Sequence, residues 1–242
     1  MIANNLIFKP MLEQESSTWT YLIADKATGD AIIIDAVAET FERDTAVIDE
    51  MGLNLKYIIE THIHADHITS SCPLKGKYKD AQIVLGQGNE VDCADLFLKD
   101  GEILKFGEFE IKAIHTPGHT SGCTSFALEN MIFTGDALLI RSCGRCDFQG
   151  GNAKDLYHSI QKIFELDDDT LIFPGHDYSG RIVSTIWEEK KYNSMIGGGV
   201  DEVEFVKRVD GMQLSLPKKI HIAVPSNQVC GMKIVQDDSL LG

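Results

Sequence analysis

His62-Ile-His64-Ala-Asp66-His67 gathers three histidines and an aspartate into one short run. It follows Leu55–Glu60, an apolar stretch with the pattern of a buried strand. On an extended chain, residues two apart project from the same side, so His62 and His64 present their imidazoles together. Asp66 and His67 fall in the turn beyond, where the chain can bend back toward the same point. Imidazole nitrogen with carboxylate oxygen suits zinc, iron or manganese. One histidine in such a place would read as a solvated loop; this density of ligand types reads as a metal site.

Downstream, the same arrangement of apolar strand, glycine and ligand-type residue recurs. His119 lies in Thr116-Pro-Gly-His-Thr120 after the strand Phe109–His115, and Asp136 in Phe133-Thr-Gly-Asp136 after the strand Met131–Thr134. His176 lies in Phe173-Pro-Gly-His176 after the strand Leu171–Phe173. Any one of these reads as an ordinary turn. Together with the first run they predict ligands collected along one edge of a sheet, with glycine letting the backbone turn behind each. His115 and His158 lack that context: His158 reads as a packed or surface residue, and His115 as either that or a group orienting a ligand.

Working outward, Leu6–Phe8, Thr18–Ala24, Ala31–Asp35, Ile83–Leu85, Glu102–Phe106 and Cys123–Leu128 are further strand candidates. Thr40–Met51 reads as a helix closed by Gly52, and Asp155–Phe164 and Gly180–Tyr192 also read as helices. The glycine-rich Ile196–Val200 reads as a loop, the stretch from Asp201 to Gly211 as a short helix, and Ile220–Val224 as a final strand. Mixed strands and helices, twice over, suit an α/β architecture with two layers of sheet and helices on the outer faces. Periodicity does not order the strands.

The charge is −15, from 37 acidic against 22 basic residues, without a basic block. That excludes nucleic acid and anionic membrane as expected partners, since both need clustered Lys and Arg. No signal peptide and no apolar run of membrane-spanning length is seen. The reading is a cytoplasmic protein whose six cysteines, Cys72, Cys93, Cys123, Cys143, Cys146 and Cys230, are free thiols.

With these motifs in order, the chain resembles the metallo-β-lactamase superfamily. Thr61-His-Ile-His-Ala-Asp-His-Ile-Thr-Ser70, Thr134-Gly-Asp-Ala-Leu-Leu-Ile-Arg-Ser-Cys-Gly-Arg-Cys-Asp-Phe-Gln149 and Pro174-Gly-His-Asp-Tyr178 resemble the persulfide dioxygenases, as does Ala223-Val-Pro-Ser-Asn-Gln-Val-Cys-Gly231. The resemblance implies an αββα sandwich, a single domain over 1–242 with a short C-terminal extension from about 195. It implies one ferrous iron per chain on His62, His119 and Asp136, with zinc or a dinuclear site as the alternative. His64, Asp66, His67 and His176 would then lie around that iron or hold a second metal. Glutathione persulfide and oxygen are the implied reactants, sulfite and glutathione the products, and a homodimer the implied assembly.

Tyr178 is a candidate donor to bound oxygen or sulfur, against a structural role for its ring. Arg145 is the preferred anchor or site organiser, against simple pairing with Asp147, and Arg141 a second candidate for the substrate's carboxylates. Cys143-Gly-Arg-Cys146 has a CxxC spacing but does not open a helix as redox motifs do, and its role is left open. The main rival is a hydroxyacylglutathione hydrolase using all seven ligands around two metals. A non-catalytic domain with a structural metal is disfavoured, because such sites are closed and sulfur-rich.

Overall fold

The computed structural model describes residues 4–89 and 91–232. Two six-stranded sheets account for its frame. The first contains β1 (Leu6–Glu13), β2 (Thr18–Asp25), β3 (Asp30–Ile34), β4 (Asn54–Ile59), β5 (Gln82–Gly86) and β6 (Leu96–Leu98), in that spatial order. The second runs from β7 (Ile103–Phe106) through β8 (Phe109–His115), β9 (Thr124–Leu128), β10 (Met131–Gly135) and β11 (Leu171–Pro174) to β12 (Ser184–Thr185). Each sheet is mixed. β3, β4, β5 and β6 are parallel, and β10 and β11 are parallel within an otherwise antiparallel sheet.

Side-chain alternation builds three apolar layers from these strands. On β2, Tyr21 and Ile23 point between the sheets while Leu22 and Ala24 point outward. On β3, Ile32 and Ile34 face inward and Ile33 faces out. A strand buried on both faces therefore reads as continuously apolar, as Thr18–Ala24 does. The central layer holds Phe106, Phe126, Phe133 and Phe173; burying each such side chain stabilises the fold by roughly 1.5–3 kcal/mol.

The outer face of the first sheet is covered by α1 (Phe41–Glu50) and α2 (Ser71–Lys77), which contribute Ile48 and Leu74. The outer face of the second is covered by α3 (Ala153–Ile163), α4 (Ile186–Tyr192) and α5 (Glu202–Asp210), through Leu156, Ile160, Ile186 and Phe205. Gly52 adopts φ 62° just past α1, as a left-handed helix terminator should. Among the described residues, no helix is long and apolar enough to cross a membrane.

Three expectations need correction, and one helix was not foreseen. Ile220–Val224 is not a strand but the start of α6 (Ile220–Asn227), whose buried positions are Ala223, Ser226 and Asn227. Its β-branched residues are overruled by packing of that small, polar face. The helix expected from Gly180 begins at Ile186, where the Thr185 side chain caps it by accepting from the Glu188 N–H at 3.1 Å. α2 went unseen because Pro73 and Gly76 lie inside it; Pro73 is tolerated in the first turn, where its missing N–H has no helical partner. Finally, the cysteines are not all free: Cys93 and Cys230 form a disulfide, while Cys72, Cys123, Cys143 and Cys146 remain thiols. A separation of 137 residues gives no local signal for that pair.

Candidate metal centre

Four strands deliver the ligand-type residues from their C-terminal ends. β4 runs out at Ile59 into Glu60-Thr61-His62, β8 at His115 ahead of His119, β10 at Gly135 into Asp136, and β11 at Pro174 ahead of His176. β8 and β10 both pair antiparallel with β9, and β11 is parallel to β10, so three of these ends share one edge of the second sheet. Two glycines permit the crowding. A side chain at Gly135, which has φ 50°, would meet the Thr61 hydroxyl at 2.5 Å. One at Gly175 would meet Asp136 Oδ1 at 2.8 Å.

His62, His119 and Asp136 bring one ligand atom each to within 4.8 Å of one another. The two imidazoles are 2% and 5% exposed, and their tautomers follow from their partners. Thr61 donates its hydroxyl to Asp35 Oδ2 at 2.9 Å and its N–H to Oδ1 at 2.7 Å. Its oxygen therefore accepts from His62 Nδ1 at 3.0 Å, leaving His62 Nε2 as a lone pair. His119 Nδ1 donates to the Arg145 carbonyl at 2.6 Å, and its Nε2 lies 3.6 Å from Asp136 Oδ2. Burial, with the neighbouring His64 and His119 rings, holds His62 well below the ordinary histidine range, so it is neutral and ready to ligate.

Beside this triad stands a second group. His64 turns Nε2 to Asp35 at 3.2 Å and to Glu60 at 3.3 Å. His67 Nδ1 lies 3.1 Å from Asp66 and 3.2 Å from the Thr18 hydroxyl. His176 Nε2 sits 3.5 Å from Asp66 and 3.6 Å from Asp136. Burial opposes its charged form, yet Asp136 and Asp66 raise His176 above the usual range. Burial likewise opposes the Asp66 carboxylate, which His176 and His67 hold well below its usual value. His64 Nδ1, His67 Nε2 and Asp136 Oδ1 are buried without a hydrogen-bond partner. Unpaired buried polar atoms are costly. Converging here among nitrogen and oxygen donors, they fit a bound cation.

A cavity of about 620 Å³ opens over Asp136, His119 and His176. Leu139, Met212, Leu214 and Phe148 form apolar wall, and Lys218 and Lys219 also line it. Lys219 is shared with Glu15 and Glu39.

The metallo-beta-lactamase superfamily pattern matches residues 14–85 and 92–176. The human protein Persulfide dioxygenase ETHE1, mitochondrial, is 45% identical over 231 residues, covering 94% of this chain and 90% of that one. The chain belongs to the persulfide dioxygenase family of the metallo-beta-lactamase superfamily. The crystal structure of ETHE1 from Myxococcus xanthus superposes with a TM-score of 0.90 at 43% identity, covering 93% of this chain and 100% of that one. Glyoxylase B2 of Dictyostelium discoideum is more distant, 31% identical over 255 residues, with 90% of this chain and 87% of that protein covered.

His62, His119 and Asp136 come together, and His64, Asp66, His67 and His176 surround them. Tyr178 is 78% exposed at the cavity rim, its ring parallel to that of His176 at 6.1 Å. Arg145 lines the cavity, but its guanidinium is engaged with Asp147 at 2.6 Å and with the carbonyls of Leu214 and Ser215. Arg141 pairs with Glu188 and Glu189 and is not part of the cavity lining. Cys143 lines the cavity with its thiol pushed up by burial, and burial pushes Cys146 to about 12, so neither is a thiolate near neutral pH. His158 pairs with Glu202 on the surface.

Sequence reading missed Asp35, Thr61, Thr18 and Glu60 as the groups that orient the imidazoles. Asp35 carried a faint signal, a carboxylate closing an apolar strand. It also missed the role of Asn227, though the family-like segment Ala223–Gly231 contains it, and the cavity wall Met212–Lys219, which carries no motif of its own.

Proposed function

We infer that this chain is a persulfide dioxygenase, converting glutathione persulfide, oxygen and water to glutathione and sulfite. The observation that carries this reading is the two-histidine, one-carboxylate face of His62, His119 and Asp136 beneath an accessible cavity. The persulfide dioxygenase relatives give it its substrate class. Ferrous iron, when held by those three side chains, would supply binding positions for a sulfur anion and oxygen and the electrons to activate the latter.

The protein's own contribution is orientation. Thr61 with Asp35, and the Arg145 carbonyl, keep both imidazoles in the ligating tautomer. Leu139, Met212, Leu214 and Phe148 exclude water from the persulfide sulfur and contact the carrier's apolar parts. Lys218 offers its ammonium to a carboxylate of the glutathione chain, which an acidic protein otherwise repels. Arg145 organises the wall through Leu214 and Ser215. The Tyr178 hydroxyl stands at the rim as a donor to the bound sulfur or oxygen.

A dinuclear thioester hydrolase is the second reading, favoured by the close grouping of His64, Asp66 and His67. Anaerobic purification, metal analysis and oxygen uptake on adding glutathione persulfide separate the two. The expected result is about one iron per chain, with persulfide-dependent oxygen consumption and sulfite release. About two metals per chain, no oxygen uptake and hydrolysis of lactoylglutathione would establish the hydrolase instead.

A further inference from the structure

The C-terminal helix reaches back to the metal-binding loop at one side chain. Asn227, buried in α6, donates its amide to the carbonyls of His64 and His67, each at 2.8 Å, and accepts the Thr69 N–H at 2.9 Å. Three residues on, Cys230 accepts the Cys72 N–H at 2.9 Å and is bonded to Cys93 in the loop between β5 and β6. Gly231 packs so tightly on Thr69 that an added side chain would meet its carbonyl oxygen at 1.9 Å. The segment 227–231 is thus pressed against residues 64–72, and a disulfide fixes its far end.

We propose that Asn227 is a positioning residue for the metal loop, and that the Cys93–Cys230 disulfide is a thiol-exchange site that locks it in place. Hydrogen bonds beyond the ligands typically change metal affinity by about 10–100-fold when lost, which sets the scale of the effect. Cys93 is half-buried and Cys230 buried, so an incoming thiolate reaches Cys93 first. The thiolate attacks Cys93 Sγ; the protein's sulfur–sulfur bond breaks, and Cys230 leaves as a thiolate that takes a proton. A second thiol attacks the mixed disulfide, releasing Cys93 as a thiol and a small symmetric disulfide. Two thiols are oxidised and one protein disulfide is reduced. The reductant is a low-molecular-weight thiol, the class of product that the reaction proposed above releases; that link alone rests on the dioxygenase reading.

The test compares the metal-loaded protein prepared without thiols with the same protein after glutathione treatment, following metal release to a chelator and amide exchange of residues 64–69. Alkylation after denaturation should find four thiols in the first and six in the second. Reduction should speed metal release about tenfold and expose the loop amides. Cys93→Ser should release metal at the reduced rate and ignore glutathione, and Asn227→Ala should release it equally fast in both redox states. A purely structural disulfide would leave the release rate unchanged. Equal release from oxidised and reduced wild-type protein overturns the proposal, as do six thiols in the thiol-free preparation. The wild-type comparison decides the matter even if a variant does not fold. None of these readouts requires persulfide turnover, so failure of the dioxygenase reading would appear separately, as absent oxygen uptake.

Discussion

In the half of the site built by His62, His119 and Asp136, each imidazole commits Nδ1 to a neutral oxygen, the Thr61 hydroxyl or the Arg145 carbonyl. In the half built by His64, Asp66, His67 and His176, the imidazoles turn to carboxylates and to the Thr18 hydroxyl. A neutral acceptor leaves the far nitrogen of its imidazole a lone pair that can ligate. Where two carboxylates crowd Nε2, as at His64 and His176, the charged ring is favoured instead. The same residue type thus meets two kinds of neighbour around one centre.

The largest effect expected from breaking this division is at Asp136. Asp136→Ala removes the carboxylate shared by the two halves, and metal analysis should find the variant empty. Its oxygen uptake should fall by about 10³-fold or more while circular dichroism reports an intact fold. Full retained activity would remove Asp136 from the ligand set. Next comes Asp35→Asn, which leaves Thr61 without its carboxylate. Metal affinity should fall about 10–100-fold in a chelator competition, and an unchanged constant would show that the tautomer of His62 is fixed elsewhere.

His176→Ala sharpens the comparison from the other side. The variant should keep about one metal per chain, because His176 belongs to the surrounding group. Loss of one metal from a protein that had held about two would reassign it as a ligand. The smallest effect is on pH dependence in metal-free protein. His176 titrates above the ordinary histidine value of 6.5, so the stability it gives is complete below about pH 6.5 and fades as pH rises through its raised value. A melting-temperature profile of His176→Gln should lack that alkaline decline, and coincident profiles would show that His176 contributes nothing there.

The ligand cluster was legible because metal sites demand particular atoms, and His62, His119 and Asp136 each follow an apolar strand whose end places them. The sandwich was legible for a related reason: strands buried on both faces, such as Thr18–Ala24, have to be apolar throughout. What supports the ligands was not. Thr18, at the start of β2, and Thr61, just past the end of β4, are ordinary threonines until the partner across the edge is known. Asn227 lies beyond a β-branched run that suggested a strand, and its three hydrogen bonds join segments about 160 residues apart. Pairing of Cys93 with Cys230 was invisible because the argument from compartment treated all the thiols alike.

Arg145 serves the site twice, and with different parts of itself. Its main-chain carbonyl fixes His119, while its guanidinium holds the carbonyls of Leu214 and Ser215 that shape the cavity wall. The two ends of this residue form a short mechanical linkage between the cavity wall and the His119 imidazole. Linkage of this kind is reciprocal. Whatever factor a seated carrier applies to the metal's hold on His119, the bound metal returns to the carrier's affinity, so carrier affinity measured with and without metal reads the sign and size of that coupling.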